Sequence, residues 1–267
     1  MQTTTATGLD QTRLRQFQTD GYTVVPALLS IDEVDDIRSE FMAIADNGPI
    51  PGHFEPTDAD PNDPLTRYPR VMHPHRFNDL SCRVLLDQRF RVILEQLFGE
   101  EPLAAQSMFY FKPPGARGQA LHQDNFYLRV EPGTCIAAWI AIDVIDRSNG
   151  GLEAVPGTHA MDVFCPEESD AEVSFTRDYV PPPPGLSAVP LDMSPGDVLF
   201  FNGSLVHGSE PNRTTDRFRR SFIGHYIGRS TEKISEWYKV LTMDGADVAV
   251  AANEGGGPCG TEVRGPH

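Results

Sequence analysis

The hydrophobic positions of this chain repeat with a helical period up to Phe98 and with a strand-like rhythm after it. Leu9, Leu14 and Phe17 fall at helical spacing and predict a short helix that ends near Asp20-Gly21. Tyr22-Thr23-Val24-Val25 then reads as a strand. Ser30 followed three positions later by Glu33 is a capping-box pattern, because each side chain can satisfy the other's backbone N–H at a helix start. Ile31, Val34, Ile37, Phe41 and Ile44 continue on one face, so residues 31–45 are predicted as an amphipathic helix. Residues 47–69 are rich in Pro, Gly, Asp and Asn and predict a long loop. A further helix runs from Arg89 to Phe98 and stops at Gly99.

Beyond that point short β-prone runs alternate with turn residues, over 103–112, 120–130, 134–144, 152–156, 188–192, 197–202 and 218–228. Many short strands punctuated by Pro and Gly predict a mainly β fold, a sandwich or barrel, with the N-terminal helices packed outside it. Residues 160–187 carry several acids and Pro181-Pro182-Pro183-Pro184, and a loop of this length is usually a lid or disordered. Together with residues 47–76 it is placed to close over a site. No repeat or linker divides the chain, so residues 1–267 are read as one domain, with 1–8 and 253–267 as disordered tails.

Composition narrows the function classes. Of 267 residues, 39% are hydrophobic, enough for a sizeable core. No apolar run approaches the roughly 20 residues of a spanning helix. The polar start Met1-Gln2-Thr3-Thr4-Thr5-Ala6 lacks the basic and apolar regions of a secretory signal, so a cytoplasmic location is expected. The formal net charge of -16 is the reverse of the basic footprint that nucleic-acid binders need. A small molecule is therefore the expected partner, with no nucleic acid and no membrane. Cys82, Cys135, Cys165 and Cys259 show no CxxC spacing and read as reduced thiols.

The candidate chemistry lies in two segments. If the run 120–130 is a strand, His122 and Asp124 project from one face, because side chains alternate. A second histidine, His207, follows a Pro195-Gly196-Asp197 turn and an apolar strand. Two imidazoles and one carboxylate, with the other positions open, form the ligand set of a non-haem Fe(II) oxygenase. His53, His73, His75 and His159 lie in loop-like segments, and His225 reads as a core histidine. Arg219 and Ser221 share one face of the last strand, where a guanidinium fork and a hydroxyl suit a carboxylate. A keto-dicarboxylate could chelate the iron at one end and be anchored there at the other. For the substrate, Gln123 and Asn125 flank the ligands, Tyr127 follows, and Tyr110, Phe201 and Asn202 are candidates for the pocket rim.

These residues carry a resemblance. Leu121-His122-Gln123-Asp124, Trp139, Asn149-Gly150-Gly151-Leu152, Val155-Pro156-Gly157-Thr158-His159, Pro195-Gly196-Asp197, His207-Gly208-Ser209 and Phe218-Arg219 appear in this order. Over residues 15–228 the chain resembles the phytanoyl-CoA dioxygenase family of Fe(II)/2-oxoglutarate-dependent oxygenases. The resemblance implies a double-stranded β-helix, a cupin-like jelly roll, with iron on His122, Asp124 and His207. It implies that Arg219 holds the distal carboxylate of 2-oxoglutarate and that Trp139 lines that pocket. Met108 and Lys112-Pro113-Pro114 would border the co-substrate, and Arg70 falls near a position that contacts it. Ser221 departs from the better-known pattern, in which the hydroxyl partner can lie elsewhere.

The activity implied is O2-dependent hydroxylation of an unactivated C–H bond, with 2-oxoglutarate converted to succinate and CO2. Related halogenases replace the carboxylate ligand with a small residue, so Asp124 favours hydroxylation. The acid-rich chain favours a small metabolite or natural-product intermediate over a CoA thioester. Two other readings remain: an Fe(II) cupin dioxygenase without 2-oxoglutarate, which needs no Arg219, and a silent jelly-roll binding module, which needs no ligand trio.

Overall fold

A computed structural model describes residues 8–60 and 62–254; the tails expected over residues 1–7 and 255–267 lie outside them. Asn253, placed in a tail by its composition, is held: its N–H donates to the Ile234 carbonyl at 2.8 Å and its side-chain amide to the Arg129 carbonyl at 3.0 Å. Among the described residues no helix is long and apolar enough to cross a membrane.

The N-terminal helices form where their end signals stand. Helix Gln11–Asp20 is capped by Asp10 and closed by Gly21 in the left-handed region, which glycine enters without strain. Helix Ile31–Asn47 starts on the reciprocal Ser30–Glu33 box. Helix Gln88–Phe98 ends at left-handed Gly99. An additional helix, Asp79–Leu85, is capped by Asn78. Its two turns are too short to impose a visible period.

Two facing sheets make most of the rest, beside two small pairs, Glu167–Glu168 with Asp178–Tyr179 and Lys233–Ile234 with Ala251–Ala252. The larger runs in the order Tyr22–Val25, Val198–Asn202, Ile136–Ala141, Ser221–Gly228, Pro102–Tyr110, Val240–Thr242 and Asp247–Val248, with Val71–Met72 also paired to Pro102–Tyr110. The smaller runs Gln119–His122, His207–Ser209, Leu152–Ala154 and Val189–Pro190. Their pairings are antiparallel, and the architecture is the expected jelly roll. Three details differ from the pattern. The run 120–130 is a strand only to His122 and then turns into the short helix Asn125–Leu128. The strand predicted over 218–228 begins at Ser221, after Arg219. Residues 233–252 supply four short strands that the sequence pattern did not predict. Cys82 and Cys135 are free thiols, but Cys165 is disulfide-bonded, which corrects the expectation of four reduced ones.

The central strands are buried on both faces, and alternation sorts their side chains. Phe109, Phe111, Ile140, Phe200 and Phe222 point outward and pack with Val34, Ile37, Phe41 and Phe90 of the helices. Phe41 stacks on Phe109 with centroids 3.9 Å apart and planes 2° from parallel. Full burial of such a side chain stabilises by about 1.5–3 kcal/mol. The alternate positions Met108, Tyr110, Trp139, Leu199, Phe201 and Ile223 point between the sheets, so the helices outside brace the walls of the chamber inside.

Beside this chamber His73 and His75 are buried without charge. Burial, with Arg76 nearby, pulls His73 from 6.5 to about 3 and His75 from 6.5 to about 4. An unfolded chain takes up protons on both as pH falls through about 6.5, whereas the fold does not until it reaches the lowered values. Stability is therefore fully present above pH 6.5 and declines below it. Urea midpoints measured from pH 7 to pH 4 should fall, and the fall should be shallower in a His73→Gln/His75→Asn protein.

Candidate metal centre

His122 ends its strand and sits in register opposite His207, which begins the next one. The ring centroids are 4.4 Å apart. Each imidazole donates its Nδ1–H to a backbone carbonyl two residues earlier, His122 to Ala120 at 2.8 Å and His207 to Leu205 at 3.0 Å. That fixes the tautomer and turns both Nε2 lone pairs toward the chamber, where the Gln119 amide donates to His122 Nε2 at 3.1 Å. Burial pulls His207 from 6.5 to about 4, so it is neutral and ready to donate at physiological pH.

Asp124 joins them through a turn, not through strand alternation. Its backbone is helical (φ -60, ψ -35), and its carbonyl accepts from Tyr127 and Leu128 N–H, both at 3.0 Å. The turn swings Oδ1 to 3.5 Å from His122 Nε2 and 3.6 Å from His207 Nε2. One ligand atom from each of the three buried residues falls within 4.8 Å of the others. Two imidazole nitrogens and a carboxylate oxygen at this separation fit a divalent transition metal. A carboxylate only 1% exposed also needs a positive partner to offset its lost hydration. On its far side Oδ2 accepts a 2.9 Å hydrogen bond from His225 Nε2. Sequence reasoning read His225 as a core residue; the available signal was its parity with Arg219 and Ser221, which puts it on the inner face.

The chamber around the trio is lined by Met108, Tyr110, Trp139, Phe201, Ile223 and Arg219, and also by Gln119, Leu152 and Ser209, which the motif reading did not single out as site residues. Phe201 lies 4.4 Å from the His207 ring. Arg219 donates Nε to the Gly150 carbonyl at 3.1 Å and Nη1 to Ser221 Oγ at 3.1 Å, with its guanidinium 5.4 Å from the Trp139 ring. Burial lowers it only to about 10, so it stays charged. Beside it the buried Lys112 donates to Gly150 O at 3.0 Å, Ser209 Oγ at 2.8 Å and the Glu210 carbonyl. Burial and the Arg219 charge hold the Lys112 ammonium well below its usual range. Among the described residues neither Arg219 nor Lys112 forms an ion pair with a carboxylate. This end of the chamber is therefore set for an anion.

A neighbouring cavity of about 180 Å³ shares Tyr110 and Arg219 with the chamber and includes Tyr68, Arg70 and Phe175. Arg70 Nη1 donates to Tyr110 OH at 3.3 Å. Both covering loops reach this cavity, and Arg117 ties them together. It donates to Asp63 Oδ2 at 2.6 Å in one loop and to the Ala171 and Ser174 carbonyls at 3.0 and 3.2 Å in the other.

Four of the residues flagged for substrate contact lie outside the chamber lining. The Gln123 amide donates to Ser204 O at 2.7 Å and accepts from Phe164 N–H at 2.7 Å, so it pins two loop segments. The Asn125 side chain accepts from Val130 N–H at 3.0 Å, and that of Asn202 accepts from Ser204 N–H at 2.8 Å. Tyr127 donates to Asp178 Oδ2 at 2.7 Å, with its ring 6.2 Å from that of His122.

The chain is similar to known proteins. The family model for phytanoyl-CoA dioxygenase (PhyH) matches residues 17–221. Phytanoyl-CoA dioxygenase 1 of Oryza sativa subsp. japonica is 35% identical over 115 residues, 42% of this chain, and the match spans 41% of that relative's length. Methylphosphonate hydroxylase of Gimesia maris is 27% identical over 259 residues, covering 93% of this chain and 92% of its own. The crystal structure of SnoK, a non-haem alpha-ketoglutarate-dependent carbocyclase from nogalamycin biosynthesis, superimposes with a TM-score of 0.68 at 23% identity, over 91% of this chain and 89% of that one. With the family model matching more than three quarters of its length, the chain belongs to the phytanoyl-CoA dioxygenase (PhyH) family.

Proposed function

We propose that this protein is an Fe(II)- and 2-oxoglutarate-dependent dioxygenase that hydroxylates an unactivated C–H bond of a small metabolite or natural-product intermediate, releasing succinate and CO2. The observation that carries the reading is the pairing of two features in one chamber: a buried His122–Asp124–His207 trio and, on the opposite wall, a buried guanidinium with no carboxylate partner among the described residues. Enzymes of the family use Fe(II), 2-oxoglutarate and O2.

His122, Asp124 and His207 hold the iron, which when bound supplies the oxidising chemistry with O2. Arg219 takes the far carboxylate of 2-oxoglutarate through its planar fork, and Ser221 and the Gly150 carbonyl fix that fork in place. Lys112 holds the Ser209 hydroxyl at the same end by a hydrogen bond. Trp139 and Met108 wall the co-substrate, and Arg70 with Tyr110 closes its outer side. Tyr110 and Phe201 shape the space left for substrate, and the loops exclude water from it. A small substrate fits the acid-rich chain, and the relative that the chain matches nearly end to end is named for a small one.

Purified protein supplied with Fe(II), ascorbate and 2-oxoglutarate should release succinate, and His207→Ala should abolish it. Hydrogen bonds to a charged group contribute about 1.5–3 kcal/mol each. Arg219→Met should therefore raise the KM for 2-oxoglutarate at least about tenfold; unchanged KM would remove the co-substrate from this reading. Tight binding of a CoA thioester, tested by calorimetry, would overturn the small-substrate assignment. Gly150, at φ 75, has no room for a side chain: a Cβ would sit 2.5 Å from the Glu210 carbonyl and 2.7 Å from Lys112 Cε. Gly150→Ala should lower stability by roughly 1–3 kcal/mol, read from chemical denaturation, and weaken 2-oxoglutarate binding with it.

A further inference from the structure

His225 occupies an expensive position. Its strand is buried along its whole length, and the ring is 1% exposed between the cross-strand neighbours Gln106 and Ala137. An imidazole there loses its hydration, a cost that a hydrocarbon side chain would not carry. The compensation is a charge-assisted bond: Nε2–H donates to Asp124 Oδ2 at 2.9 Å, between residues 101 positions apart in sequence. The strand pairing is irregular just beside it, where the register with Pro102–Tyr110 shifts between His225 and Tyr226. Such irregularities re-aim side chains next to functional sites. Here the neighbouring positions divide cleanly. Tyr226 turns outward to donate to the Leu85 carbonyl at 2.7 Å, and His225 turns inward to the carboxylate.

The two oxygens of Asp124 thus have separate tasks. Oδ1 faces both imidazole Nε2 atoms at 3.5 and 3.6 Å, and Oδ2 is held by His225. We propose that His225 is a positioning residue that holds Asp124 in one-oxygen coordination by donating to Oδ2, which keeps the remaining metal positions open for co-substrate and oxygen. Loss of that tether removes a restraint on rotation about the Cβ–Cγ bond and makes it easier for both oxygens to turn toward the metal. The inference rests on the metal reading above and adds to it how the carboxylate is oriented. The group needed is one N–H donor at this reach, so glutamine is a functional substitute and leucine is not.

The test uses Co(II) as a spectroscopic probe of the full-length protein. Wild type, His225→Leu and His225→Gln are compared by the visible d–d absorption of the bound ion, by Co(II) affinity in chelator competition, and by metal-free thermal stability. Loss of a hydrogen-bonded partner of a metal ligand weakens affinity about 10–100-fold. His225→Leu should show that loss together with a changed d–d spectrum, and His225→Gln should restore both toward wild type. If His225→Leu keeps the wild-type spectrum and affinity, the inference fails, even where its metal-free stability drops, because that is the signature of a purely structural residue. If His225→Leu does not fold, His225→Gln decides alone: a wild-type spectrum and affinity support the role, and their loss overturns it. Wild-type protein that takes up no Co(II) would overturn the metal reading and this inference together, whereas wild-type binding matched by His225→Leu overturns the inference only.

Discussion

One cross-strand register governs this molecule: His122 stands directly opposite His207 in the smaller sheet. Strands separated by most of the jelly roll in sequence must pair at that position and no other. A slip of one residue would turn one imidazole to the opposite face of the sheet. The irregularity that follows, between His207 and Ser209, shows how local the match is. Everything else in the chamber is arranged around these two rings. Asp124 reaches them by a turn, and Arg219 faces them from the segment that leads into Ser221–Gly228 of the larger sheet.

The larger sheet supplies rigidity at the level the chemistry needs. Its strands alternate outward aromatics, locked under the helices, with inward residues that define the chamber. Phe222 lies between Ser221 and Ile223, so the outer packing sets how deeply the inner side chains protrude. The polar end is equally constrained. The Gly150 carbonyl accepts from both Lys112 and Arg219, and the turn bearing it is held by the Asp146–Asn149 capping box. Arg219 and Lys112 are kept side by side by a shared neutral acceptor, and the Arg219 charge there favours the arrival of an anion.

Local rules made much of this legible. The Ser30–Glu33 box, Gly21 and Gly99 marked helix ends because the interactions involved span only a few residues. His122 and His207 were legible as a pair through their motif contexts. The shape of the Asp124 segment was not, since alternation predicted a strand through residue 130. The chain turns there because Asn125 N–H donates to the Gly203 carbonyl at 2.8 Å, a contact from a distant segment. His225 was hidden for the same reason. A single histidine in an apolar strand reads as core, and its partner lies far away in sequence. The amides of Gln123 and Asn125 looked available beside the motif, yet their hydrogen bonds are spent on loops and turns that only the folded chain brings near.

Arg117 has a consequence for how anything enters. One guanidinium bonds both coverings at once, Asp63 on one side and Ala171 and Ser174 on the other. Neither segment can lift from Arg117 without surrendering bonds to the same side chain, so displacing one covering disturbs what holds the other.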